Sequence, residues 1–91
     1  MQKPVVTLEN WATVPNAGSL NFEPLEPGKR LVGNAVGYPN LPGRAFVWTS
    51  RILSVDWSNG LVETANTVYR LGEPQKAYAA WQFEREHQSA A

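Results

Sequence analysis

The sequence predicts an α+β fold that is mainly β. It should be a small, strongly bent antiparallel sheet, in the manner of an SH3-like partial barrel of four to five strands, with one C-terminal helix. An α+β sandwich with an open sheet is the close competitor. Three observations carry this expectation. β-Branched and aromatic residues crowd positions 29–71, glycines and prolines interrupt them at short intervals, and only positions 74–87 space their apolar residues as a helix does. Ninety-one residues fit one domain and not two, so 1–91 is read as a single unit.

Residues 1–28 open with a short extended run, Pro4-Val5-Val6-Thr7-Leu8. Pro15, Asn16, Gly18, Pro24, Pro27 and Gly28 then follow too densely for a long helix. Trp11, Val14, Leu20, Phe22 and Leu25 are too apolar for a disordered arm. The zone is therefore expected to be an ordered, irregular wrap that carries one short strand and packs across the core.

Residues 29–71 hold the strands. Leu31, Val32 and Val36 form the first, with Gly33 and Gly37 marking a bulge, a bend or a close backbone approach. Two prolines and a glycine make residues 38–43 a loop. From 44 to 57, Phe46 and Trp48 share one parity while Leu53, Val55 and Trp57 share the other. A bulge or bend is thus expected near Thr49-Ser50. Ser58-Asn59-Gly60 is a hairpin turn. A two-residue loop there would oppose Asp56 to Glu63, so a three-residue loop with a left-handed Gly60, pairing Trp57 with Leu61, is preferred. A last strand near 67–71 follows a turn at Ala65-Asn66. Pro74 and Glu73 suit a helix start, and Ala77, Tyr78 and Trp81 form the stripe expected to dock on the sheet. Residues 88–91 should fray.

Composition narrows the chemistry. Eight basic residues balance eight acidic ones, so no strong field draws nucleic acid or membrane to the whole molecule. Residues 29–72 are mildly basic, with Lys29, Arg30, Arg44, Arg51 and Arg70 against Asp56 and Glu63. There is no cysteine, which removes disulfides and thiolate metal sites. No apolar run is long enough to span a bilayer, and the N-terminus lacks a basic-then-apolar leader, so a cytoplasmic protein is expected.

Catalysis is not expected. His87 is the sole histidine, placed near the end of the helix beside Glu84 and Glu86, and a transition-metal site wants several such ligands together. Thr49 and Ser50 have no neighbouring base to activate them and are read as satisfying backbone groups at a bend. Asp56 and Glu63 flank a hairpin without a cleft, so each reads as a solvated carboxylate, paired with Arg51 or Arg70. Gly33 and Gly37 lack the following Lys-Ser/Thr of a phosphate loop. No cofactor is expected.

Binding remains. Arg44, Trp48, Arg51, Trp57, Tyr69 and Arg70 are the candidate binding residues, because Trp, Tyr and Arg dominate interface hot spots. A protein partner suits a near-neutral surface with aromatic anchors, and an exposed edge strand would permit a homodimer. The alternative is a single-stranded nucleic-acid binder of small-barrel type, stacking bases on Trp48, Tyr69 and neighbouring Tyr38 and Trp57 while Arg51 and Arg70 meet phosphates.

The stretch Thr49-Ser50-Arg51-Ile52-Leu53-Ser54-Val55-Asp56, with Leu61-Val62-Glu63-Thr64-Ala65-Asn66-Thr67-Val68-Tyr69-Arg70-Leu71-Gly72, resembles short proteins encoded by bacteriophages and prophages. These share a TS…VD…V-x-T-x-(N/S)-x-x-Y-x-LG pattern after a Gly-Pro loop. The likeness covers about residues 31–72. It implies an accessory protein of a mobile element, often one that binds a host or phage factor, and it carries over no functional residue. With aromatic and arginine content and no catalytic groups, the expected function is to bind another protein and inhibit a host system.

Overall fold

Five strands and one helix follow one another in the computed structural model, which describes residues 3–37 and 44–88. They are β1 (Val5–Val14), β2 (Arg30–Val36), β3 (Arg44–Asp56), β4 (Leu61–Thr64), β5 (Val68–Leu71) and α1 (Lys76–Gln88). The expected 38–43 loop, including Tyr38, and the end of the expected frayed tail, residues 89–91, lie outside the described residues. So do the side chains of Arg44 and His87.

The strands join in sequence order into a closed barrel. Each of the first four pairings is antiparallel, so the fifth strand runs the same way as the first. Closing the ring therefore requires a parallel pair, and β1 and β5 supply it, Val6 facing Tyr69 and Leu8 facing Leu71. The expected bent sheet with a C-terminal helix is what forms, bent far enough for its ends to meet. Val6, Leu8, Leu31, Ala35, Ile52, Val62 and Tyr69 are all buried in the core.

Bulges supply the bending. In β1, Asn10 and Trp11 together oppose Gly33, since Glu9 pairs with Asn34 and Ala12 with Val32. Asn10 takes a positive φ of 53° to do so. Gly33 is where the strands press closest: a Cβ there would lie 2.9 Å from the Glu9 carbonyl oxygen and 3.1 Å from Leu8 Cγ. This bulge corrects the reading of residues 1–28. The strand does not stop at Leu8 but runs on to Val14, ten residues in all, and only residues 15–28 form the irregular wrap. Leu20, expected in the core, is almost fully exposed.

The phase change expected in β3 is present. Thr49 and Ser50 oppose Leu31, because Val32 pairs with Trp48 and Arg30 with Arg51. Thr49 Oγ1 accepts the Leu31 amide at 2.9 Å and donates to the Ser50 carbonyl at 2.7 Å, satisfying backbone groups at the bend. A further irregularity at Leu53 separates the Ile52–Thr64 and Ser54–Glu63 pairs. The β3–β4 turn differs by one step from expectation. Gly60 is left-handed, with φ 65°, but Asp56 and not Trp57 pairs with Leu61. The cause is the Asp56 carboxylate, which accepts the Asn59 backbone amide and side-chain amide at 3.2 and 2.9 Å and so begins the turn one residue earlier.

The helix plugs the barrel through Tyr78 and Trp81, whereas Ala77 of the expected stripe is exposed. Trp11, Phe22, Tyr78 and Trp81 form a ring cluster with centroids 5.2 to 6.0 Å apart. Tyr78 donates its hydroxyl to the Glu23 carbonyl at 2.6 Å, and burial pushes that hydroxyl above the ordinary phenol range. The link from β5 to α1 is stitched to β1: Trp11 Nε1 donates to the Gly72 carbonyl, and the Gln75 amide to the Trp11 carbonyl. No helix among the described residues is long and apolar enough to cross a membrane.

Candidate interaction surface

β3 is thirteen residues long, and its two halves have different neighbours. Its second half pairs with β4 from Ile52 onward, whereas the first half, residues 44–51, pairs with β2 alone. Among the described residues, no strand runs along the other edge of that first half, and no loop amide or carbonyl bonds to it there. Among the described residues, this half-strand therefore keeps one edge without a neighbouring strand although the barrel is closed.

The side chains on the outer face of that half-strand are large and apolar. Phe46 is 54% exposed and Trp48 39%, their rings edge to face with centroids 5.8 Å apart. Leu20, 91% exposed, lines the same shallow hollow, together with Val14, Phe22 and Val32. Between the rings, Val47 turns inward and packs against the core. Residues 45–49 read Ala-Phe-Val-Trp-Thr, with no charge, proline or glycine. Proteins ordinarily blunt an edge with charged side chains or proline.

The six sequence candidates do not converge. Trp48 belongs to the surface just described, and Arg44 opens the same strand opposite Val36. Arg51 is exposed, but its guanidinium is tied to the wrap, donating to the Gly28 carbonyl at 2.8 Å, the Pro15 carbonyl at 3.4 Å and Asn16 Oδ1 at 3.2 Å. Trp57 stands at the β3–β4 turn, 69% exposed. It flanks a separate groove of about 310 Å³ lined also by Trp11, Leu25, Val55, Leu71 and Gln82. Tyr69 faces into the barrel and is buried, while Arg70, its neighbour on a four-residue strand, faces out. The set Trp48, Arg51, Tyr69 and Arg70 therefore does not share one face on which a single strand could stack.

The carboxylates near the hairpin also have local partners, though not the expected arginines. Asn59 holds Asp56 below the usual carboxylate range. Lys3 donates to Glu63 Oε2 and to the Thr64 carbonyl, and this pairing holds Glu63 below its ordinary range.

Sequence reasoning missed two members of the surface. Phe46 was visible through the parity it shares with Trp48 on a β-rich stretch. Leu20 carried no signal of exposure, being one apolar residue among several in the wrap. No family model, curated protein or solved structure matches the chain.

Proposed function

We infer that this chain is a non-catalytic binding module that engages another protein by lengthening its own sheet. An extended segment of the partner would lie along the free edge of β3, exchange main-chain hydrogen bonds with it, and cover Phe46 and Trp48. One observation carries the reading: residues 45–48 form an edge that is unpaired among the described residues, carries no charge or proline, and bears two half-exposed aromatic rings.

The magnitudes support a reversible contact. A Phe and a Trp bury roughly 400 Å² together when fully covered, and about half of that remains available here. Covering about 200 Å² contributes about 5 kcal/mol at about 25 cal/mol per Å². Ladder hydrogen bonds add about 1 kcal/mol each, against an association cost of at least about 4 kcal/mol. With about four such bonds available along five residues, about 5 kcal/mol remains, a sub-millimolar affinity. In the phage setting that the sequence resemblance implies, occupying the edge of a host protein in this way would inhibit it.

The test is a photo-crosslinking phenylalanine analogue placed at Trp48 and, as a control, at the exposed Ala80 of α1. Irradiation in bacterial lysate should give saturable protein adducts from position 48 that unlabelled chain competes away and a Phe46→Ser/Trp48→Ser variant does not. Adducts from position 48 no stronger than those from position 80 would overturn the reading.

A further inference from the structure

We propose that the partner strand at this edge is supplied by a second copy of the same chain, the two β3 strands pairing antiparallel about a two-fold axis through Val47. The proposal rests on the edge reading above and names its occupant.

The strand is complementary to itself in one register. When an antiparallel pair is centred on Val47, Phe46 lies opposite Trp48 of the other copy, and Trp48 opposite its Phe46. Directly opposed residues point to the same face, so the four rings meet on the outer side. On the inner side Val47 meets Val47, and Ala45 meets Thr49. Shifting the centre to Phe46 opposes each Trp48 to an arginine, Arg44, and shifting it to Trp48 opposes each Phe46 to Ser50. Only the Val47 register pairs every ring with a ring. It also sets Arg44 against Ser50, so no two like charges face each other within residues 44–50.

The rest of the surface agrees. A two-fold contact uses the same patch on both copies, and this edge is presented identically by each. Eight positive and eight negative side chains leave no net repulsion between copies. Pairing would join two β1–β2–β3 sheets into one continuous sheet and bring Leu20 of each copy, already in the hollow with Phe46 and Trp48, toward the facing chain. Leu20, Phe46 and Trp48 supply a few hundred Å² per copy, below the ~800 Å² per partner of a standard interface. The dimer is accordingly a weak, concentration-dependent one.

Sedimentation equilibrium of the full chain from about 5 μM to about 1 mM should show a monomer–dimer transition within that range. Trp48→Lys, at a half-exposed position and with its fold checked by circular dichroism, should weaken it at least tenfold. Trp57→Ser should leave it within twofold. The chain has no cysteine, so Val47→Cys introduces a unique thiol. Opposed residues lie within disulfide reach, and oxidation should link this variant as a dimer while Ser58→Cys at the hairpin tip stays monomeric. A chain that is monomeric at the highest concentration, or a dimer indifferent to Trp48→Lys, overturns self-pairing. In the first case the photo-crosslink at position 48 separates the two ideas. Adducts to a different protein leave the edge reading standing without self-pairing, and their absence removes both.

Discussion

Two groups of aromatic residues sit at opposite ends of a scale in this molecule. Trp11, Phe22, Tyr78 and Trp81 lock the barrel end to the helix, with Tyr78 fully buried and its hydroxyl satisfied by the Glu23 carbonyl. Phe46 and Trp48 touch each other in the same edge-to-face manner, yet half their surface faces solvent. Ring chemistry does not distinguish the groups. Their backbone does: Trp11 is part of the β1 bulge and is turned into the core, whereas Phe46 and Trp48 precede the bulge at Thr49-Ser50 and stay on the outer face. One group therefore serves stability and the other is left for a partner.

The largest effect should come from the plug. Tyr78→Ala removes a fully buried ring that contacts three others and should cost about 3–5 kcal/mol in urea-induced unfolding. Phe46→Ser/Trp48→Ser removes two half-covered rings and should cost less than Tyr78→Ala, about 1–3 kcal/mol in the same experiment, while abolishing partner capture. A double variant that unfolds as readily as Tyr78→Ala would erase the distinction.

Gly33→Ala probes the bulge that sets the plug in place. Its new Cβ would press on the Glu9 carbonyl and Leu8, so destabilisation of about 1–3 kcal/mol is expected by thermal melting. Tyr78→Phe keeps the ring and deletes only the hydroxyl that meets Glu23, so about 0.5–1.5 kcal/mol should be lost.

The smallest effect belongs to the N-terminal tie. Glu63 titrates below its ordinary range when folded because Lys3 donates to it. Its contribution is thus complete above the unfolded-state pKa and disappears as pH falls through the lower folded value. Lys3→Met should flatten that part of a stability-versus-pH curve without touching the region near neutrality.

Much of the fold was legible in the residues. The parity switch between Phe46-Trp48 and Leu53-Val55 announced the β3 bulge, Gly60 announced a left-handed turn residue, and Pro74 announced the helix. The second half of β1 was hidden, because Asn10 at positive φ looks like the end of a strand when it is one step of a bulge. The surface was half legible. Trp48 was found, and the charge on Arg70 was a usable sign that adjacent Tyr69 faces inward. Arg51 could not be read locally, since the carbonyls that hold it come from residues 15 and 28, far along the chain. Whether an edge is free depends on how far a neighbouring strand extends: the turn at Ala65-Asn66 that ends β4 was legible, but not that β3 runs on for eight residues beyond the reach of β4.

Residue-resolved amide hydrogen exchange in dilute solution tests that free edge most directly. Along residues 45–49, amides facing β2 should be protected and those alternating with them should exchange at nearly the rate of a loop, while Leu31 and Ala35 in doubly flanked β2 stay protected. Uniform protection of residues 45–49, equal to that of β2, would contradict the account.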